Sequence, residues 1–84
     1  MHEGAVCREI MDIVTNAAVE NNIAKVYEII VTVGAYSCVN EGQLNLYFNA
    51  AKADTCMSEA VIRVERDESL KGKSQLYVKS IRGD

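Results

Sequence analysis

Proline is absent from this 84-residue chain, histidine occurs once, and no long apolar run interrupts the mixture of polar and apolar residues. The absence of proline excludes a Pro-rich linker, and no segment approaches the roughly 18 apolar residues that a membrane-spanning helix needs. The first residues have neither the basic region nor the apolar region of a secretory signal. We therefore expect one small domain over residues 1–84, located in the cytoplasm.

Cysteine is also scarce, and its three positions are far apart in the chain: Cys7, Cys38 and Cys56. An odd number of distant cysteines is typical of reduced thiols rather than of a disulfide framework. No two of them form a Cys-x-x-Cys pair, so the chain lacks the usual ligands of a cysteine-rich structural zinc site. We expect no structural zinc.

The lack of a second histidine weighs against catalysis. His2 is the only side chain whose unperturbed pKa lies near neutrality, so no second imidazole is available to activate a cysteine. Cys7 and His2 could meet across one helical turn, but no third group orients them, and a packed helical cysteine is the simpler interpretation. The sequence therefore does not predict an enzyme.

A net charge of −3 leaves no broad basic surface for a nucleic-acid backbone. The glycines are scattered and match neither a P-loop nor a dinucleotide fingerprint, each of which needs several glycines within a short span. Nucleotide binding, nucleic-acid binding and membrane association are therefore not predicted.

What the sequence does contain is an alternation of amphipathic segments. Apolar spacings of three and four predict helices, and β-branched or alternating segments predict strands. In chain order the predicted elements are a helix from Ala5 to about Asn21, a strand from Lys25 to Val33, a helix from about Glu41 to Ala53, a strand from Ala60 to Arg66 and a strand from Ser74 to Ile81. This order, α-β-α-β-β, predicts an α+β fold.

The predicted fold has two layers, with two amphipathic helices on one face of a small three-stranded mixed sheet. Ile29, Val31 and Val33 of the first strand are expected to face the core. The second helix should bury one apolar stripe, formed by Leu44, Tyr47, Phe48 and Ala51. The polar connection over residues 67–73 predicts that the last two strands form an antiparallel hairpin.

The first three residues, Met1-His2-Glu3, place the single imidazole beside what would be a free α-amino group. An amine, a backbone amide and an imidazole within two residues form a compact set of nitrogen donors, and nitrogen-rich tetragonal sites suit Ni(II) or Cu(II). A solvated terminal histidine is the alternative interpretation. On the residues alone, Met1, His2 and Glu3 are a candidate metal site.

Four segments follow one another along nearly the whole chain: Met1-His2-Glu3 before an amphipathic helix, Ile29 to Ser37, Ala60 to Glu65, and Leu76 to Ile81. Their order and spacing resemble the HypA/HybF family of nickel metallochaperones, which act in the maturation of nickel–iron hydrogenases. The most specific parts are the terminal Met-His-Glu, the strand followed by a Gly-x-x-Ser turn, and the closing Val-Lys-Ser-Ile.

The resemblance implies a nickel-binding domain in which His2 and the nearby N-terminal nitrogens hold Ni(II), with Glu3 close by. It implies that the protein passes nickel to a hydrogenase large-subunit precursor in concert with a nickel-handling maturation GTPase; some members also serve urease. A labile site of few ligands can release its ion to a partner, whereas a closed four-ligand cage would retain it.

The chain departs from the family pattern in one large respect. Family members carry a zinc domain with two Cys-x-x-Cys pairs between the last two strands, whereas this chain has only the short connection from about residue 67 to 73. Gly4 also stands where a larger apolar residue is usual, and Cys38 where a small residue is common. We therefore expect a HypA-like nickel-binding domain without the zinc insertion.

Two functions remain open at this point. The first is a nickel metallochaperone for hydrogenase maturation. The second is a metal-free HypA-like interaction or regulatory module that has lost nickel delivery. It would present a sheet edge or a helix face either to a partner or to a second copy, and the second case would give a homo-oligomer.

Overall fold

The computed structural model describes residues 3–72 and 75–84. Its elements are α1 (Glu3–Glu20), β1 (Val26–Gly34), α2 (Glu41–Ala51), β2 (Val61–Asp67) and β3 (Leu76–Gly83). The predicted α+β order is confirmed, and the boundaries of the elements differ from the predicted ones by at most two residues.

β1 is the middle strand of a three-stranded sheet with the order β2-β1-β3. It runs parallel to β2 and antiparallel to β3, so the sheet is mixed, as predicted. The predicted hairpin between the last two strands is wrong, because β2 and β3 each pair with β1, on opposite sides. The reason is that Ile29, Val31 and Val33 make β1 the most apolar strand, and a central strand buries such residues more completely than an edge strand.

The two helices pack against each other and cover one face of the sheet, α1 over β3 and α2 over β2. On α2 the buried residues are Leu44 and Phe48, four positions apart. Tyr47 and Ala51 were predicted to be buried with them, but both are exposed. Tyr47 is 51% exposed, because it is turned by about 100° around the helix from Phe48, and Ala51 is the last residue of the helix. Neither helix, in the part of the chain described, combines the length and the apolar content that crossing a membrane requires.

Asparagine residues mark the end of α1 and the beginning of α2. Asn22, just after α1, has a φ of 56°, which is the left-handed conformation that asparagine adopts more readily than most residues. Asn40 is the N-cap of α2, and its side chain accepts a hydrogen bond from the Gln43 N–H at 3.0 Å. Asparagine is among the residues preferred at both kinds of position, so these two helix ends follow from local sequence.

Side chains of α2 form hydrogen bonds with backbone N–H and C=O groups along the outer edge of β2. Asn45 donates from Nδ2 to the Ile62 carbonyl at 2.8 Å and accepts from the Ile62 N–H at 3.0 Å. Glu41 Oε1 accepts from the Val64 N–H at 2.7 Å. An uncovered edge strand offers such groups to other chains, so α2 protects this edge in addition to burying its own apolar side chains.

We expect Asn45→Ala to lower the free energy of unfolding by about 1.5–4.5 kcal/mol, because its two hydrogen bonds with Ile62 and one with the Glu41 carbonyl oxygen, of about 0.5–1.5 kcal/mol each, are lost. Urea denaturation measures this change. Asn49→Ala is the matched control, because Asn49 is exposed on the same helix, and it should change stability by no more than about 0.5 kcal/mol. Equal losses in the two variants would contradict the role of Asn45 at the strand edge.

Candidate metal centre

Of the three residues predicted to bind the metal, Glu3 is the one whose position is described; Met1 and His2 lie outside the described residues. Glu3 is the first residue of α1 and is half-buried. A carboxylate in the first turn of a helix interacts favourably with the unpaired N–H groups there. Glu3 therefore stabilises the start of α1, and Met1 and His2 directly precede this helix in the sequence.

The beginning of α1 packs against α2 at Gly4. A Cβ atom added to Gly4 would lie 3.5 Å from Cδ1 and Cε1 of Tyr47, an ordinary van der Waals distance. Beside this contact is a groove of about 280 Å³, whose lining includes Arg8 and Met11. The candidate metal-binding end of the domain therefore adjoins an accessible groove that contains an aromatic ring and a positive charge.

Cys7 lies one helical turn after Glu3 on α1 but is an unsuitable metal ligand. Its side chain is 2% exposed, and burial raises the pKa of the Cys7 thiol. Metal binding requires the thiolate, so the buried and protonated sulfur does not favour coordination at neutral pH. This environment fits the interpretation of Cys7 as a packed helical cysteine rather than as a catalytic partner of His2.

Within residues 3–72 and 75–84, no group of three or more histidine, cysteine, aspartate or glutamate side chains is placed to hold a metal ion. Several carboxylates instead form surface ion pairs, such as Glu59 with Lys25 at 2.6 Å and Glu65 with Lys79 at 3.0 Å. The hydrogen bond from Lys25 lowers the pKa of Glu59. That shift is explained by ion pairing and does not indicate a metal site.

The Gly-x-x-Ser turn after β1 has a structural role. A Cβ atom at Gly34 would lie 2.6 Å from the carbonyl oxygen of Gly72 and 2.9 Å from that of Leu70, so a side chain does not fit between them. Ser37 Oγ accepts a hydrogen bond from the Val39 N–H at 3.1 Å. The turn therefore lets the connection that follows β2 pass close to the end of β1.

Arg66 holds the same turn from β2, and sequence reasoning missed it. Its guanidinium donates to the carbonyl oxygens of Ser37 at 2.9 Å and Val39 at 3.2 Å. In the sequence, Arg66 is the last residue of an alternating strand, where a charged side chain is ordinarily solvated. Only the pairing of β2 with β1 brings it to carbonyl groups from a distant part of the chain.

Comparison of the fold with solved structures gives the class of protein. The structure is similar to the solution structure of the Ni metallochaperone HypA from Helicobacter pylori, with a TM-score of 0.78 and 13% sequence identity, over 99% of this chain and 97% of that one. At this identity the likeness shows a shared fold. The domain therefore has the α+β fold of a HypA-type metallochaperone.

The sequence places the chain in a family. The family model described as "Hydrogenase/urease nickel incorporation, metallochaperone, hypA" matches residues 1–75. A hydrogenase maturation factor HypA from Francisella philomiragia is 29% identical over 70 residues, which cover 83% of this chain and 62% of that protein. The chain belongs to the HypA family, as its resemblance predicted, and it spans about 62% of the length of this curated relative.

We expect the cysteines to differ in their reaction with iodoacetamide in the folded protein. Cys38 is exposed and Cys7 is buried, so Cys38 should be alkylated at least about tenfold faster, because Cys7 reacts only when α1 opens locally. Peptide mass spectrometry over time measures both rates, and in urea the two rates should converge. Equal rates in the folded protein would show that Cys7 is not protected by the core.

Proposed function

We propose that this protein binds Ni(II) through Met1, His2 and Glu3 and passes it on during the maturation of nickel–iron hydrogenases. The observation that carries the proposal is the family match over residues 1–75, which includes all three residues. Nickel is then the cargo of the protein rather than a cofactor that stays bound.

The chemistry of the three residues supports binding of Ni(II). The His2 imidazole, the backbone amide and, where Met1 is the first residue, the α-amino group supply nitrogen donors, which suit tetragonal Ni(II). Glu3 adds a carboxylate from the first turn of α1. Because a site with few protein ligands leaves coordination positions open, it exchanges its ion more readily than a closed four-ligand cage.

The packing of α1 supports the same proposal. Val6 and Cys7, in the first turns of the helix, are almost fully buried, so the start of α1 is fixed to the core. Met1 and His2 are attached directly to this fixed start. Donors next to a fixed element lose less conformational freedom when they bind an ion than donors in a long free tail.

We extend the proposal to the partners and the setting that the family resemblance implies. The recipient of nickel is a hydrogenase large-subunit precursor, and a nickel-handling maturation GTPase assists the transfer. The protein acts in the cytoplasm as a carrier and not as an enzyme. We propose that the domain of residues 1–84 does so without structural zinc, because its three cysteines are far apart in the sequence.

The test is a calorimetric titration of Ni(II) into protein whose first residue is Met1. We expect His2→Ala to weaken binding by at least about tenfold, because loss of even an outer partner of a metal ligand costs 10- to 100-fold. Residues added before Met1 should also weaken binding, because they remove the α-amino group from its position beside His2. Identical Ni(II) uptake by the unmodified protein and by His2→Ala would contradict the proposal.

Two substitutions on α1 form a matched pair for the role of the carboxylate. Glu3→Gln and Glu9→Gln remove the same charge from the same helix, and Glu9 is exposed. We expect weaker nickel binding in Glu3→Gln and unchanged binding in Glu9→Gln. Cys38→Ser should leave the affinity unchanged as well; a loss in this variant would show that the exposed thiol is the ligand instead.

A further inference from the structure

The face of the sheet opposite the helices contains a polar cavity of about 240 Å³ at Thr32. Thr32 lies in the central strand, paired with Glu65 of β2 on one side and with Tyr77 of β3 on the other. Thr32 lies between Val31 and Val33, whose side chains are buried in the core, so the Thr32 side chain lies on the sheet face away from the helices. Glu65 and Tyr77 are its partners in the neighbouring strands and share that face. We call this site, lined by Thr32, Glu65 and Tyr77 among others, the Thr32 cavity.

The Thr32 hydroxyl is buried without a partner. Only 4% of Thr32 is exposed, and its Oγ1 has no hydrogen-bond partner among residues 3–72 and 75–84. Buried hydroxyl groups in folded proteins nearly always have a partner, because an unpaired one has lost its hydration without compensation. Because Thr32 belongs to the cavity lining, a ligand that reached this hydroxyl from the cavity would supply the hydrogen bond that it lacks.

The side chains around the Thr32 cavity carry a small net negative charge. The lining contains three carboxylates, Glu65, Asp67 and Glu68, and two cations, Arg66 and Lys79, so its formal charge is −1. Lys79 donates to Glu65 at 3.0 Å, and Arg66 donates its guanidinium N–H groups to carbonyl oxygens of the turn after β1. The small negative charge that remains favours a cation.

The detailed chemistry favours an organic cation over an inorganic one. Asp67 accepts hydrogen bonds from the Ser69 N–H and hydroxyl at 2.9 and 2.6 Å, which lower the pKa of Asp67 and keep it charged. Tyr77 offers a half-exposed ring, over which an organic cation is stabilised. Among the described residues, no three carboxylate, imidazole or thiol groups are placed to chelate a metal ion.

We propose that the Thr32 cavity binds the guanidinium group of an arginine side chain presented by a partner polypeptide. Small-molecule sites usually measure about 300–1,000 Å³, and this cavity is smaller, so it takes one side chain rather than a whole ligand. A guanidinium carries five N–H donors in a planar fork. It can therefore bond to Thr32 Oγ1 and to the Glu68 carboxylate at the same time, which seats the partner on the outer face of the sheet.

The test uses the full chain labelled with ¹⁵N and the probe Nα-acetyl-arginine N-methylamide. We expect saturable NMR shifts of the backbone amides of Thr32, Glu65, Glu68 and Tyr77. The citrulline analogue has the same shape but a neutral urea group, so it should bind at least about tenfold more weakly. The lysine analogue should also bind more weakly than the arginine probe, because its ammonium lacks the planar fork.

Substitutions in the cavity identify the groups that bind the probe. Thr32→Val removes the hydroxyl with little change in size and should weaken binding about tenfold, because one hydrogen bond to a charged group is lost. Glu68→Gln should also weaken binding, and it keeps the proposal testable if Thr32→Val fails to fold. Glu59→Gln is the matched control, because Glu59 is a surface glutamate paired with Lys25 elsewhere, and it should leave the affinity unchanged.

Three results would overturn the proposal. The first is the absence of saturable shifts at the cavity amides, which is the outcome for a cavity that holds only water. The second is equal affinity for the arginine probe and its citrulline analogue. The third is unchanged affinity in the folded cavity variants, Thr32→Val and Glu68→Gln. Saturable binding of the arginine probe that weakens in these variants, and not in Glu59→Gln, supports it.

Discussion

The central position of β1 is the constraint on which the rest of the structure depends. β1 pairs along both edges, with β2 and with β3, and Ile29, Val31 and Val33 are fully buried beneath the helices. Full burial of one such side chain contributes about 1.5–3 kcal/mol, so a register that moved these residues to an exposed face would lose most of the core. The other elements serve this arrangement, since α2 closes the outer edge of β2 and α1 covers the side of the sheet that β3 forms.

The sequence predicted the structure well where a residue acts within its own segment. Asn40 caps the helix that directly follows it, and Asn22 ends the helix that directly precedes it, so local spacing was sufficient in both cases. The pairing of the last two strands was not predictable in this way, because the hairpin rule considers only the connection between them. Which strand becomes central depends instead on the apolar content of all three. Asn45 and Arg66 were missed for a related reason, since each bonds to backbone groups far away in the sequence.

The two candidate sites differ in how much of each was visible in the sequence. Met1, His2 and Glu3 are adjacent, so their donor atoms could be recognised as a set, and the structure adds that Glu3 begins a helix whose next turn, with Cys7, is buried. Thr32 has no such signal, because threonine is common in strands and its alternation with valine predicts only that it faces away from the core. Its unpaired hydroxyl becomes evident once the sheet register has placed strands on both sides of it.

The connection between β2 and β3 is attached to the end of β1 at two adjacent residues. The Ala35 N–H donates to the Leu70 carbonyl oxygen at 2.9 Å, and the Gly34 N–H donates to the Gln75 carbonyl oxygen at 3.2 Å. Because the adjacent residues Gly34 and Ala35 bond to Gln75 and Leu70, the two ends of any segment between Leu70 and Gln75 stay close together. The entropic cost of closing a longer segment at this place grows only slowly with its length. The domain can therefore be lengthened at this place without a change in sheet register.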